Sequence, residues 1–432
     1  MKSFKQTISS FIQSIKVGWF LASRQILRSS KWTTGLIVFI MTLTFLNLVV
    51  VSGLLVGLIT GSYKQFKEAY SGDILITPRS GREYIENSAQ LLEFLKKDTR
   101  VVAFSPRHSY TASVLGTLTD NPKSKEKANT GGGVVVGIDP TLEEEVTGFS
   151  KFVKYGEALK PSDSGYILFG SNLLKEYSTF GDVDIPGLEL VKGIEIGSKV
   201  KLTINTASGT PASRIYIVKG ILKSKVDQVS QRMFIVDPDF RQFLTTNQWE
   251  LQEIAVKVES GQEQYLADDI RRFMNGSALR VQTSEEAIPS FLRDIEQTFG
   301  ILGNALSSIA LIVASITVFI VIFINAITRR KFIGIMKGIG VEPRAIKIAY
   351  VLQGLFYGVI GSGIGLILTF GLLKPFFDAN PIDFPFSDGI LVATLNGALV
   401  RVGILLVVTI LAGYIPATLI VRRNTLDSIL GR

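Results

Sequence analysis

Four stretches of this chain are almost wholly apolar: residues 34–60, 300–328, 349–373 and 402–421. A helix needs about 20 apolar residues to cross a hydrocarbon core, so each stretch predicts a transmembrane helix. Between the first and the second, over 61–293, the pattern changes to that of a soluble domain. Short β-branched and apolar runs, bounded by Gly, Pro, Asp or Ser, predict strands at 73–77, 101–110, 134–138, 166–169, 199–205, 214–222, 233–236 and 253–258. Helical spacing with charge pairs predicts helices at 88–97 and 262–274. Strands and helices do not alternate strictly, which favours α+β with antiparallel pairing over a doubly wound sheet. The polar, Gly-rich stretch 121–133 predicts a mobile loop and 206–213 a turn. A boundary between two lobes is expected near 150–161. The expected fold is an α-helical membrane protein with four transmembrane helices and a large α+β extracytoplasmic domain inserted between the first and second.

The segments then read as follows: an interfacial amphipathic helix over 1–33, spans at 34–60, 294–328, 348–374 and 394–421, and the inserted domain over 61–293. A loop at 329–347, a short outer loop at 375–393 and a tail at 422–432 complete the chain. In the first segment Phe4, Ile8, Phe11, Ile15, Trp19 and Ile26 recur at helical spacing, with Lys5, Lys16 and Arg24 elsewhere around the helix. It is expected to lie along the membrane surface, as an anchor for the first span or as a regulatory or partner-binding element. The first apolar run, 34–60, is too long for the h-region of a cleavable signal peptide and starts too far along the chain. The helical pattern from Ser284 runs into the second span, which predicts one continuous helix projecting from the membrane into the inserted domain.

Charge orients these segments. Lys16, Arg24, Arg28 and Lys31 precede the first span; Arg329, Arg330, Lys331, Lys337, Arg344 and Lys347 lie between the second and third; Arg422, Arg423 and Arg432 follow the fourth. Four spans place all three segments on one side, which by the excess of Lys and Arg is cytoplasmic. The opposite loop, 374–389, carries Asp378, Asp383 and Asp388 against Lys374 alone. Both termini are therefore expected inside a multi-pass cell membrane protein, with the inserted domain periplasmic or extracellular.

Composition narrows the chemistry. Charged residues make up 19% of the chain, below the roughly 25% of soluble domains, and mean hydropathy is +0.33. The net charge of +9 comes from cations at the ends of the spans, with no basic stripe interleaved with aromatics, so nucleic acid is not an expected partner. There is no cysteine, which excludes disulfides, thiol nucleophiles and zinc–thiolate sites. The single histidine, His108, falls inside a predicted strand and reads as structural. Glu143, Glu144 and Glu145 read as a solvated helix face. No Gly-x-x-x-x-Gly-Lys-[Ser/Thr] loop occurs to cradle phosphates. The chain is expected to have no catalytic site, metal or cofactor of its own; if it uses ATP, another subunit binds it. No span holds a charge pair, which disfavours an ion-coupled transporter, and Arg401 is expected to snorkel.

The richest candidate is the loop RRKFIGIMKGIGVEPRAIK, with Arg329, Arg330, Phe332, Ile333, Gly334, Ile335, Met336, Lys337, Gly338 and Gly340 as its site residues. A loop that only set topology would not need so many apolar residues; a short amphipathic helix of this kind suits docking in a partner's groove. Small-residue stripes form the second candidate: Gly53, Gly57 and Gly61 in the first span, Gly354 and Gly358, then Gly361 and Gly365, in the third. Such faces let helices approach closely, within the bundle or against a second permease subunit as homo- or heterodimer. Membrane lipid is the remaining expected contact.

Together these residues resemble the FtsX-like, macrolide-exporter-type permease family of ABC transporters over essentially the whole chain. That family's inner loop has a pattern close to R-x-x-E-[IV]-G-x-x-[KR]-A-x-G, met here by Arg329, Ile333, Gly334, Lys337, Gly338 and Gly340, with Phe332 in place of the acid and Gly338 in place of the usual Ala. Pro416, Arg422, Arg423 and Leu426 resemble its C-terminal ending. SGDILIT at 71–77, VVAFSPR at 101–107 and VVGIDP at 135–140 resemble lipoprotein-releasing permeases, whose chaperone-recruiting hairpin corresponds to the short turn 206–213. The resemblance implies a permease whose separate cytoplasmic ABC ATPase drives the outer domain, for lipoprotein release or export of an amphiphilic substrate. The alternative it leaves open is mechanotransmission to an extracytoplasmic cell-wall hydrolase.

Overall fold

The computed structural model describes residues 2–116, 129–178, 181, 190–205, 211–244, 247–384, 387–389 and 391–422. Residues 121–128 and 206–210 of the expected loop and turn, and Arg423, Leu426 and Arg432, lie outside them. The chain opens with α1 (Lys2–Leu27) and, after an elbow at 28–30, α2 (Lys31–Phe66), which runs on through a π-helical turn, Lys67–Ser71. The insert contributes β1 (Ile74–Pro78), α3 (Ser88–Lys97), β2 (Val101–Leu115), β3 (Thr130–Ile138), α4 (Pro140–Thr147), β4 (Val153–Gly156), β5 (Tyr166–Gly170) and β6 (Lys199–Asn205). It continues with β7 (Pro211–Leu222), α5 (Asp227–Ser230), β8 (Arg232–Val236), α6 (Asp237–Leu244), β9 (Glu253–Val258), α7 (Glu263–Phe273) and β10 (Leu279–Thr283). The chain returns through α8 (Ser290–Thr328), α9 (Arg330–Gly338), α10 (Pro343–Leu368), α11 (Lys374–Ala379), the short strands β11 (Ile382–Phe384) and β12 (Ser387–Gly389), and α12 (Leu395–Val421).

Among the described residues four helices are long and apolar enough to cross a membrane: α2, α8, α10 with its continuation, and α12. The 39 residues of α8 reach about 58 Å at ~1.5 Å per residue, roughly twice the ~30 Å hydrocarbon core. This helix starts after Pro289 rather than at Ser284, where residues 284–287 turn instead; a proline pushes the residue before it out of the helical region. Between α10 and α11 the helix widens into a π turn, Thr369–Leu373. Pro375 explains it, because proline has no N–H to give and its ring crowds the carbonyl one turn back.

Two compact units result: Ile59–Arg293 with Asp383–Asp388, and the other helices. In the helical unit α10 is the common neighbour. A Cβ on Gly361 would stand 2.4 Å from the Cβ of Met41, and one on Gly365 2.3 Å from Phe45 Cδ1, so these two seat α2. Gly354 and Gly358 face Thr409 of α12. Gly53 seats Leu391 and Val392, the approach to α12, rather than another span; Val392 N–H donates to the Gly53 carbonyl at 3.1 Å. Gly57 is buried and Gly61 half-buried. Arg401, half-buried, donates from Nη2 to Ser52 Oγ of α2 at 2.7 Å. A hydroxyl within reach in an apolar bundle satisfies part of the guanidinium without a trip to the surface.

The face of α1 that packs on protein is one of small residues. Ser14, Gly18 and Ala22 are buried, and a Cβ on Gly18 would meet Ile348 and Ala345 of α10. Ile15 and Trp19 are exposed; Phe4, Ile8 and Phe11 lie outside the described side chains. Small residues at i, i+4 and i+8 let α1 lie close on α10, and the bulky apolar residues are left pointing outward.

The inserted unit is built on one mainly antiparallel sheet, in the order β10-β1-β9-β2-β3-β8-β5-β7-β4, with β6 bridging β2 and β7. Only β3–β8 and β5–β7 run parallel among the described pairs. Strand β2 continues past Tyr110 and carries two partners in succession: β9 up to Arg107, then β3 from His108. Each half has its own core. Ile74, Ile76, Leu91, Ile254, Val256, Leu266 and Ile270 fill one; Val135, Phe169, Leu202, Tyr216, Ile235 and Phe240 belong to the other. The seam therefore crosses β2 near residue 107, not 150–161. Both β4 and β5 stay with the second core because they pair with β7. Residues 131–133, expected in the mobile loop, are part of β3, where their backbones pair with Val114, Ser113 and Ala112.

Candidate functional site

The loop between α8 and α10 folds into α9, and the helix sorts its residues onto two faces. Ile333 is 2% exposed and joins the helical core, Gly334 is buried, and Met336 packs beside them. Lys337 Nζ donates to the carbonyl of Val421 at 3.2 Å, a cation on the last turn of α12 where the helix dipole favours one. Phe332, Ile335 and Ile339 are 67%, 50% and 76% exposed. At i, i+3 and i+7 they form one continuous apolar stripe. Lys331 and Arg344, both exposed, flank it in sequence. The helix ends in a Schellman motif: Val341 N–H donates to Met336 O at 2.9 Å and Gly340 N–H to Lys337 O at 3.1 Å. That closure needs the left-handed backbone of Gly340, at φ +91°. Glu342 and Pro343 then start α10, and Ser14 Oγ of α1 donates to the Glu342 carboxylate. The stripe is thus presented from a short helix braced by α1, α10 and α12.

A second concentration of polar chemistry sits at the seam of the inserted unit. Arg107 donates from Nε and Nη2 to the two oxygens of Glu143, at 2.8 and 2.7 Å. Ser105 and Thr147 hydroxyls donate to the same carboxylate at 2.7 and 2.9 Å. Glu253 receives Arg232 at 2.9 Å and has Arg107 at 3.6 Å. Both guanidiniums lie over the ring of Tyr70, 5.4 and 5.0 Å from its centre. Burial alone would raise the Glu253 pKa, yet the Arg232 and Arg107 charges hold it below the usual carboxylate range. Tyr70 belongs to the π turn Lys67–Ser71, so the network joins that turn to β2, α4, β8 and β9. The same unit grips the β11–β12 segment: Lys225 Nζ donates to the carbonyls of Phe384 and Ser387 at 2.8 and 3.1 Å.

His108, next to Arg107, is buried and bonds Asp237 through Nδ1 at 2.6 Å, with its ring against Phe240. No nucleophile accompanies it among its described contacts. The described residues hold no group of three or more His, Cys, Asp or Glu that could bind a metal.

Residues 304–425, spanning most of α8 and all of α9, α10 and α12, match the FtsX-like permease C-terminal domain. The chain carries an FtsX-like permease domain. An uncharacterized ABC transporter permease of Methanocaldococcus jannaschii, MJ1507, is 24% identical over 322 residues, which are 69% of this chain and 77% of that one. The ABC transporter permease YtrF of Bacillus subtilis is 26% identical over 136 residues, 28% of this chain and 30% of YtrF. Two solved structures are similar to part of the chain. The periplasmic region of MacB from Actinobacillus actinomycetemcomitans matches 49% of it and 88% of its own length at 14% identity, TM-score 0.32. The extracellular domain of the noncanonic ABC-type transporter YknZ from Gram-positive bacteria matches 49% and 99% at 15% identity, TM-score 0.30. The relatives it resembles are ABC transporter permeases, and the described residues hold four candidate membrane spans.

The sequence-derived site divides. Phe332 and Ile335 face outward, and Gly338 is open to a Cβ. Ile333, Gly334, Met336 and Lys337 face the bundle, Gly340 closes the helix and Arg329 caps its start; the Arg330 side chain lies outside the described ones. Ile339 completes the stripe. The seam network was missed. Glu143, read as solvated, is 2% exposed, because α4 packs on β2 where Arg107 waits for a counter-charge. The sequence holds only a faint sign of this, an Arg amid the apolar strand residues 101–110.

Proposed function

We propose that this permease receives motion from a separate cytoplasmic ABC ATPase at the Phe332–Ile335–Ile339 stripe and passes it to its inserted domain. The single observation that carries the reading is the two-faced α9: one face locked into the helical core, the other a bare apolar stripe beside basic residues. Burying such side chains in a partner groove is worth about 1.5–3 kcal/mol each. The excess of Lys and Arg on the α9 side of the spans supports a cytoplasmic loop and termini, with the inserted domain outside the cell membrane. ATP and Mg then reside on the partner, and a second permease subunit, identical or different, completes the transporter. The substrate we infer is lipid-anchored or amphiphilic, with lipoprotein release as the leading case.

Phe332→Asp tests the docking. Co-purification with the ATPase should fall at least tenfold while the variant keeps its expression and melting temperature; undiminished co-purification rules the stripe out. Deleting 332–339 should abolish the complex. Depleting the permease should leave lipoproteins in the inner membrane, whereas unchanged fractionation would favour control of a cell-wall hydrolase instead.

A further inference from the structure

The elbow between α1 and α2 carries chemistry that the docking stripe does not use. The first acid in the sequence is Glu68, and six cations precede the first span: Lys2, Lys5, Lys16, Arg24, Arg28 and Lys31. Lys16, Arg24, Arg28 and Lys31 are all exposed. None of the four forms an ion pair among the described residues; Arg24 rests over the Phe20 ring, 5.7 Å from its centre. Three of them fall within residues 24–31, where α1 ends and α2 starts. Like charges this close repel unless an outside anion joins them.

Directly beyond them α2 has a notch. Lys31, Trp32, Gly35, Leu36 and Phe39 line a cavity of about 480 Å³. A Cβ on Gly35 would meet nothing within 4 Å, and its neighbour Trp32 is 91% exposed. The notch is apolar except at its mouth, where Lys31 stands. It also lies at the start of the apolar run 34–60, a stretch that a water-soluble protein does not reach. The bulky outward side chains of α1, Trp19, Phe20 and Leu27, are of the kind that settle at a membrane–water interface.

We propose that the α1–α2 elbow binds an anionic phospholipid. The headgroup phosphate lies on Arg28 and Lys31, with Arg24 alongside, and one acyl chain fills the Gly35 notch between Trp32 and Phe39. Neither the leaflet's identity nor the docking role of α9 enters this inference, so it stands or falls apart from them.

Native mass spectrometry of the full-length permease in mild detergent tests it, with phosphatidylglycerol and phosphatidylcholine of identical chains as probes. The wild type should retain phosphatidylglycerol at least tenfold better than phosphatidylcholine, and 10 mM inorganic phosphate should not displace it. A surface cation contributes roughly fivefold to anionic-lipid binding. The double variant Arg28→Gln/Lys31→Gln should therefore lose phosphatidylglycerol by about 25-fold and keep phosphatidylcholine. Gly35→Leu fills the notch and should weaken both lipids, while Lys374→Gln at the other end of the bundle should change neither. Should the double variant fail to fold, Lys31→Gln alone carries the same reading at about fivefold. Equal retention of the two lipids by the wild type, displacement by phosphate, or charge variants within twofold of wild type would overturn the site.

Discussion

At Glu143 a buried carboxylate has all its hydrogen-bonding capacity used: two bonds from Arg107 and one each from Ser105 and Thr147. Taking two charges out of water is costly, and the pair stabilises the fold only because it is so fully bonded. Removing one member leaves the other buried and uncompensated. Glu143→Gln should therefore destabilise the inserted domain by about 3 kcal/mol, read as faster hydrogen exchange in β2 and β9 of the full-length protein. Exchange unchanged there would show that Arg107 finds enough compensation in Glu253 alone. Glu253 gives a pH signature. Its folded pKa is depressed, so its stabilisation is complete above the ordinary glutamate value near 4.3 and is lost as pH falls through the lower folded value. Protection of β9 should hold from neutral pH down to about 5 and weaken below about 4, whereas Glu253→Gln should flatten that dependence. A wild-type profile as flat as that of the variant would contradict the assignment.

At the scale of elements, the long-period signals in the sequence were legible and the long-range pairings were not. Apolar runs set the four spans, and alternating β-branched runs located β6 and β9 to the residue. Nothing local in β2 tells that it changes partner at Arg107, because one partner, β3, follows it closely in sequence and the other, β9, comes only at 253–258. In α1 and α9 hydropathy revealed apolar residues but not their direction: Ser14, Gly18 and Ala22 are silent in a hydrophobic pattern, yet they form the face that α10 covers. Two element-scale tests follow from such contacts. Gly361→Leu should drive a side chain into Met41 and cost about 1–3 kcal/mol or more, while Gly363→Leu, where nothing lies within 4 Å, should be tolerated; equal melting temperatures in detergent would refute the α2–α10 contact. Lys225→Met should release the β11–β12 segment. A hydrogen bond from a charged donor contributes about 1.5–3 kcal/mol, so amides of 382–389 should exchange roughly tenfold to a hundredfold faster.

At the scale of the whole molecule, the chain passes between the helical and the inserted unit at 58–59, 293–294, 382–383 and 388–389. Tyr70, one π turn beyond α2, is gripped by Arg107 and Arg232 at the seam of the two cores, and the α11–α12 connection is clasped by Lys225. That connection also anchors on Gly53 of α2 through Leu391 and Val392. In the helical unit Ser14 bonds Glu342 just after α9, Ile333 joins the core and Lys337 bonds the end of α12. Coupling carried by contacts of this kind should fail when α9 loses its partner, even with every other contact intact. The chain has no cysteine, so spin labels can be placed at will, at exposed Tyr265 of α7 and exposed Leu27 of α1. In the complex with its ATPase, a non-hydrolysable ATP analogue should change the distance distribution between them, and in Phe332→Asp the distribution should stay at its nucleotide-free form. Distances that ignore nucleotide in the intact complex would dismiss transmission from α9 to the inserted domain, and distances that respond equally in the variant would move the point of coupling to another surface.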